Sequence, residues 1–158
     1  MEEESKEKTL INKYSNLIYR VALAYLRNTE DAEDIVQEVL IKFIRNKKPF
    51  DCEEHEKNWI IRVTLNLCYN EANSARLKKN VLVDNAERFR AKDFENDLVI
   101  DIVDRLKDKY KSVFELYYLH DFSSKDISKI LKISEMAVRT RLKRARKEIQ
   151  KELEEGEK

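Results

Sequence analysis

The sequence predicts an all-α protein in which a flexible linker joins two small helical domains. Three observations support this prediction. One Gly and one Pro among 158 residues are too few for the turns of a many-stranded sheet. The composition, 40% charged and 42% hydrophobic, suits compact cores better than one large globule. Apolar residues recur at helical spacing in both halves, and a polar stretch separates the halves.

The first half predicts three helices. The first covers about residues 9–27, and its apolar stripe consists of Leu10, Tyr14, Leu17, Ile18, Val21 and Tyr25. Thr29 is the predicted N-cap of the second helix, because the acids after it favour a helix N-terminus. This helix runs to about Arg45. A break over residues 46–56 contains Pro49, and the third helix is predicted to start near Lys57 or Asn58.

The second half resumes after a polar stretch over residues 77–97, which is the predicted linker. The expected domains are therefore residues 1–76 and 98–158. Two helices are followed by a short helix capped by Ser123 or Ser124, and then by a longer helix capped by Ser134. A short helix, a tight turn and a longer helix form a helix-turn-helix pattern. Lys132 occupies a turn position that favours Gly.

The last helix combines an apolar seam with a basic face. Val138, Leu142, Ala145 and Ile149 share one stripe, and the opposite face is basic. From Ser123 to Lys151 there are ten basic and three acidic side chains, a net charge of +7. This face suits a DNA backbone, with its first turns in the major groove. The alternative is a solvated basic helix or one that docks on an acidic protein, and the helix-turn-helix pattern favours DNA.

The second predicted helix has an unusual outward face. Asp34, Gln37, Glu38 and Arg45 lie there together with the apolar Ile41. An acidic surface with an apolar residue suggests a protein partner. The alternative is an ordinary amphipathic helix with one stray isoleucine.

Three segments resemble the signature stretches of the extracytoplasmic-function (ECF) group of sigma-70 family factors. They begin Asp31-Ala-Glu-Asp-Ile-Val-Gln-Glu, Asn58-Trp-Ile-Ile-Arg-Val-Thr-Leu-Asn and Ile133-Ser-Glu-Met-Ala-Val-Arg-Thr-Arg, and they occur in the family order. The resemblance covers about residues 10–153. It implies a bundle of three or four helices similar to sigma region 2, followed by a helix-turn-helix domain similar to region 4.

The resemblance also implies a function, that of a sigma factor that binds core RNA polymerase and directs it to promoters. The second helix would dock on the clamp coiled coil of the polymerase largest subunit, through Asp31, Asp34, Ile35, Gln37, Glu38 and Ile41. The loop 46–57 and the third helix would capture and open the minus-ten element as single strands, through Lys47, Lys48, Phe50, Trp59, Arg62 and Asn66. Trp59 as an ordinary core residue remains an equal alternative. The last helix would read the minus-thirty-five duplex through Ser134, Arg139, Thr140, Arg141, Lys143, Arg144 and Lys147.

Further expectations concern partners and chemistry. The expected partners are core RNA polymerase, promoter DNA and a separate anti-sigma factor, as is typical of the resembled group. No enzymatic activity, cofactor or metal is expected, because the two histidines, His55 and His120, are isolated and the two cysteines, Cys52 and Cys68, suggest neither a disulfide nor a zinc site. The acidic N-terminus and the short uncharged stretches predict a cytoplasmic protein without membrane insertion.

A regulator that binds operators without polymerase is the main competing function. Such a protein would need a dimerising surface to read a symmetric site, and none is evident in the sequence. It would not need the acidic helix with Ile41 or the loop for single-strand capture.

Overall fold

A computed structural model of the chain describes residues 2–78 and 97–156, which form helices and the turns between them without a strand. The helices are α1 (Glu2–Leu26), α2 (Thr29–Arg45), α3 (Glu53–Lys78), α4 (Asp97–Arg105), α5 (Asp108–Tyr118), α6 (Ser124–Leu131) and α7 (Glu135–Gly156). They form two compact units, α1–α3 and α4–α7. The all-α, two-domain prediction is confirmed. The predicted linker lies outside the described residues, apart from Leu77 and Lys78 at the end of α3 and Asp97 at the start of α4.

The N-terminal unit is a three-helix bundle around a shared apolar core. Residues of all three helices are buried in this core, among them Ile18, Val21, Ala22, Ile35, Val39, Ile60, Ile61, Leu65 and Cys68. The predicted stripe of α1 is confirmed at Tyr14, Ile18, Val21 and Tyr25, whereas Leu17 is half-buried. Burial of this stripe against α2 and α3 supplies the main driving force for the bundle.

The N-cap of α2 is Asn28, whereas the sequence predicted Thr29. Arg27 has a left-handed backbone (φ 55°), which reverses the chain and leaves Asn28 extended at φ −139° and ψ 123°. The Asn28 side chain then accepts a hydrogen bond of 3.0 Å from the Asp31 N–H. This bond satisfies a backbone donor that would otherwise lack a partner in the first turn.

Helix α3 begins at Glu53, about four residues before the predicted start. The three acids of its first turn, Glu53, Glu54 and Glu56, favour a helix N-terminus electrostatically. Two of them are also tied to α1: Lys13 Nζ lies 2.7 Å from Glu53 Oε1 and 3.6 Å from Glu56 Oε1. The loop that was predicted over residues 46–57 is therefore short and ends at Cys52.

The C-terminal unit packs α4, α5 and α6 against α7. One core cluster joins Ile102, Val103, Leu106 and Phe114 to Ala145 and Ile149 of α7. The predicted seam of α7 is confirmed, since Val138, Leu142, Ala145 and Ile149 are all buried. The opposite face of α7 is consequently free of packing within this unit.

Candidate functional site

The first candidate surface is the exposed face of α2. Its side chains lie at three- and four-residue steps and are all exposed: Asp34, Gln37, Glu38, Ile41, Ile44 and Arg45. Ile41 is 47% exposed and Ile44 is 53% exposed. These two large apolar side chains form a small patch on an otherwise polar helix face, and the patch would be shielded from water if a partner covered it.

Ile44 was missed by the sequence reasoning, although its spacing of three residues from Ile41 was a usable signal. Ile35, by contrast, was predicted to lie among the binding residues but is only 2% exposed. Its side chain packs in the core beneath the α2 surface and cannot contact a partner without rearrangement. The helical period places Ile35 on the same side of α2 as the buried Val39.

Asp31 adds electrostatic character to this surface. Partial burial, the Glu71 carboxylate of α3 and the Asp34 carboxylate together raise the pKa of Asp31 above its ordinary value. Desolvation and repulsion from these two neighbouring carboxylates therefore disfavour the ionised form of Asp31. A cationic partner would relieve that repulsion.

The second candidate surface is an aromatic cluster where α2, the 46–52 loop and α3 meet. Phe43 stacks on Phe50 with ring centroids 5.7 Å apart. Trp59 meets Phe43 at 5.9 Å and Phe50 at 5.6 Å, both edge to face. These separations are those of favourable aromatic pairs. Both Phe50 and Trp59 are half-buried, so each ring packs in the cluster and still presents an edge or face to solvent.

A cleft of about 480 Å³ opens beside Trp59. Two cations, three amides, two aliphatic side chains and the indole line it, namely Lys42, Arg45, Asn46, Trp59, Val63, Asn66, Leu67 and Asn70. The cations can bind phosphate, the indole can stack on a base, and the amides can hydrogen-bond a base edge. This combination of groups suits an unstacked nucleotide.

The structure brings only some of the predicted single-strand residues to this cleft. Trp59 and Asn66 line it, and the Phe50 ring packs against the Trp59 ring. Lys47 and Lys48 are exposed on the adjoining loop. Arg62 is half-buried outside the lining set, and burial lowers the pKa of its guanidinium. Sequence reasoning missed Lys42, Arg45, Asn46 and Asn70, because only the packing of α2 on α3 brings them together.

The third candidate surface is the helix-turn-helix formed by α6 and α7. The Ser123 hydroxyl accepts a hydrogen bond of 3.1 Å from the Asp126 N–H, and the Ser134 hydroxyl accepts one of 3.0 Å from the Ala137 N–H. Between the helices, Lys132 adopts the left-handed conformation at φ 57° and ψ 46°. Both predicted serine caps are therefore present, and Lys132 adopts the left-handed backbone conformation that favours Gly.

The exposed face of α7 contains most of the predicted duplex-reading side chains. Ser134, Arg139, Thr140, Lys143, Arg144 and Lys147 are exposed, whereas Arg141 is half-buried at the side of the helix. Arg139 Nη2 lies 3.1 Å from Glu135 Oε1 one turn earlier. Arg146 lies over the Tyr118 ring of α5 at 5.9 Å from its centroid. The exposed cations Lys143, Arg144 and Lys147 remain available to a polyanion.

The described parts of the chain contain no helix that is both long and apolar enough to cross a membrane. Within the same residues, His, Cys, Asp and Glu side chains nowhere gather in a group of three or more that could bind a metal ion.

Comparison with known proteins matches both units to protein families. Residues 10–77 match the family model for sigma-70 region 2, and residues 96–149 match the model for sigma-70 region 4. The two matched segments coincide with the two structural units and together cover most of the chain.

Individual relatives match over nearly their full length. The ECF RNA polymerase sigma factor SigW of Bacillus subtilis is 25% identical over 91% of this chain and 87% of its own. The RNA polymerase sigma factor SigV of the same organism is 27% identical over 88% of this chain and 86% of its own. The ECF RNA polymerase sigma-E factor of Haemophilus influenzae is 25% identical over 92% of this chain and 86% of its own.

Two solved structures share the fold. The sigma factor RpoE from Bartonella quintana, solved in complex with the anti-sigma factor NepR, superposes with a TM-score of 0.69 and 20% identity over 93% of this chain and 96% of its own. CnrH, solved in complex with the cytosolic domain of CnrY, superposes with a TM-score of 0.67 and 20% identity over 96% and 89%. With regions 2 and 4 matched in order and with ECF sigma factors among its relatives, the chain belongs to the ECF group of the sigma-70 family of RNA polymerase sigma factors.

Proposed function

We propose that the exposed face of α2 is the surface through which this sigma factor binds core RNA polymerase. The supporting observation is the pair Ile41 and Ile44, which are about half exposed among acidic neighbours. Apolar residues at the centre of an interface, surrounded by charges, are where binding energy concentrates. Asp34 and Glu38 then contribute attraction to a basic partner surface and speed of association.

The aromatic cleft beside Trp59 is proposed as the site of single-strand capture at the minus-ten element. Trp59 offers a stacking surface, Lys42 and Arg45 offer charge for the backbone, and Asn66 offers donors and an acceptor for a base edge. The loop between α2 and α3 adds Lys47, Lys48 and Phe50, and the Phe50 ring contacts Trp59. Arg62, being half-buried outside the cleft, is assigned a supporting position rather than a base contact.

The exposed face of α7 is proposed as the reader of the minus-thirty-five duplex. Arg139, Thr140, Lys143 and Arg144 project from the first turns, where a recognition helix approaches base edges. Lys147 and the half-buried Arg141 are assigned to phosphate contacts, which position the helix without specifying sequence. The Ser134 hydroxyl caps the N-terminus of α7, so its main proposed contribution is to fix where the DNA-reading helix starts.

Regulation by an anti-sigma factor is proposed from the related structures, in which RpoE is bound to NepR and CnrH to the cytosolic domain of CnrY. A regulator that covers Ile41 and Ile44 would block polymerase directly.

The proposed domains are residues 1–76 and 98–158 with a linker at 77–97. The protein is proposed to act in the cytoplasm, as an initiation factor without enzymatic activity of its own.

The test of the polymerase surface uses two isoleucines with the same exposure. Ile41 and Ile11 are both 47% exposed, but Ile11 lies on α1 and is not part of the proposed α2 contact. An aspartate at Ile41 places a charge in the proposed contact, so we expect Ile41→Asp to weaken binding to bacterial core RNA polymerase by about tenfold or more. Ile11→Asp is expected to bind as the wild type does. Equal affinity of all three proteins would contradict the assignment, and circular dichroism confirms that each variant is folded.

A further inference from the structure

We propose that Met136 is a specificity-determining residue, which packs against the C5 methyl group of a thymine in the upstream promoter duplex. The inference rests on the proposed function of α7 as the duplex reader, and it assigns a role to a side chain that neither the basic face nor the apolar seam of α7 accounts for.

Met136 is unusually exposed for an apolar residue. It is 77% exposed, the highest value among the exposed large hydrophobic side chains of the described residues. The other apolar side chains in the described length of α7 are buried or half-buried. A methionine in this position gains nothing from its own fold and becomes favourable only when another surface covers it.

The position of Met136 on the helix places it within the proposed reading face. Arg139, Thr140 and Lys143 follow it by three, four and seven residues, so all four side chains share one face of α7. At about 100° per residue, Met136 lies within about 30° of the direction opposite the buried seam. It is also in the first turn after the Ser134 cap, the part of a recognition helix that enters the groove.

The chemistry of the neighbours narrows what Met136 can meet. The cations around it bind phosphate oxygens and base acceptors, whereas a thioether side chain offers neither charge nor a useful donor. In the major groove, the apolar group that distinguishes one base from the others is the thymine methyl. Methionine is unbranched and has three rotatable side-chain bonds, so it can adapt to a methyl group held at the floor of the groove. Duplex DNA bearing a thymine is therefore the occupant that this position fits.

The experiment begins with selection of upstream sequences from a randomised duplex by holoenzyme assembled from core polymerase and the full chain. We expect the wild type to enrich thymine at one position and Met136→Gln, which keeps the length of the side chain but not its apolar end, to lose that enrichment. Replacing the selected thymine by deoxyuridine removes only the methyl group. This replacement should weaken wild-type binding about fourfold, the value of one buried methyl-sized group, and should leave Met136→Gln unchanged.

The outcomes separate this proposal from the one on which it rests. If scrambling the whole upstream element leaves wild-type holoenzyme binding unchanged, α7 is not the duplex reader and both proposals fail. If the element matters and Arg139→Ala weakens its recognition, but the wild type and Met136→Gln respond equally to deoxyuridine, only the role of Met136 is overturned. Met136→Leu, which retains an apolar side chain, should keep the thymine preference, and its loss would count against an apolar contact.

Discussion

At the residue scale, Tyr14 shows how one buried side chain holds two helices of the N-terminal unit together. Its hydroxyl donates a hydrogen bond to Glu56 Oε1 of α3, and its ring lies only 2% exposed in the core. Lys13, its neighbour on α1, pairs with Glu53 and Glu56 in the same first turn of α3. The Lys13 ammonium lowers the pKa of the Glu53 carboxyl, while the Glu53 hydrogen bond raises the pKa of Lys13. These contacts fix where α3 starts, and so they set the length of the loop that leads to the cleft.

Tyr14 also makes stability depend on alkaline pH. Burial and the bond to Glu56 raise the pKa of Tyr14 from 10.0 to about 12. Because the folded-state pKa is the higher one, the stabilisation is complete below pH 10 and is lost as the pH rises through about 12. Relative to Tyr14→Phe, the wild type should lose about 2 kcal/mol of unfolding free energy across this interval. Urea denaturation followed by fluorescence of the single Trp, Trp59, measures the difference within the N-terminal unit. Parallel pH profiles for the two proteins would contradict the prediction.

Asn66 tests the cleft without disturbing the core. It is exposed and lines the cleft, so Asn66→Ala should leave stability within about 0.5 kcal/mol of the wild type. Loss of its amide should slow promoter opening by about tenfold, because one hydrogen bond to an unstacked base is removed. The control is Asn73→Ala, the same substitution at a half-buried position of the same helix outside the cleft lining. Permanganate reactivity of thymines in the minus-ten region reports opening, and an equal effect of both variants would show that the cleft is not the capture site.

At the element scale, the helix-turn-helix depends on two serine caps and one strained turn residue. The Ser123 and Ser134 hydroxyls cap the starts of α6 and α7. Lys132, between the two helices, has a positive φ, which is unfavourable for a residue with a Cβ. The caps set where α7 starts and therefore which residues reach the groove. A lysine in a position that favours Gly indicates that this turn is maintained by its surroundings, including the bonds to the Ser128 carbonyl.

Relief of this strain should stabilise the C-terminal unit. Lys132→Gly removes the Cβ and is expected to raise its unfolding free energy by about 1 kcal/mol. Lys132→Ala keeps the Cβ, serves as the control for loss of the charged side chain, and should show no such gain. Ser134→Ala should lower stability by about 1 kcal/mol through loss of the cap. Thermal unfolding followed by circular dichroism gives all three values, and equal stability of the Gly and Ala variants would show that the turn carries no strain.

At the scale of the whole molecule, the sequence predicted the fold well and the sites unevenly. The helical periods in both halves and the scarcity of Gly and Pro were sufficient for an all-α chain with two units. The α2 surface was predictable because Ile41 stands out among charges along a single helix. The cap at Asn28 was missed because it depends on the left-handed Arg27 before it. The start of α3 was missed because its first turn is fixed by contacts with α1, which lie 40 or more residues away in the chain.

The cleft was the least predictable feature, because its lining combines the end of α2 with the middle of α3. Asn46 and Asn70 come together only through tertiary packing, and neither has a sequence pattern that marks it. Met136, in contrast, could have been identified from its register with Arg139 and Lys143 once the buried seam was known. Sequence patterns thus carry information along one helix, and they lose it where two helices build a surface together.

As a sigma factor, this one chain should both bind core polymerase and select the promoter. The most direct measurement is transcription in vitro by core RNA polymerase on a library of bacterial promoter fragments, with and without the full chain, with sequencing of transcript 5′ ends. Addition of the chain should create defined start sites that share two sequence elements upstream. Ile41→Asp should reduce transcription from all of these start sites by about tenfold or more, whereas Arg139→Ala should weaken dependence on the upstream element alone. A chain that binds duplex DNA but creates no start sites would contradict the account and would indicate a regulator that acts without polymerase.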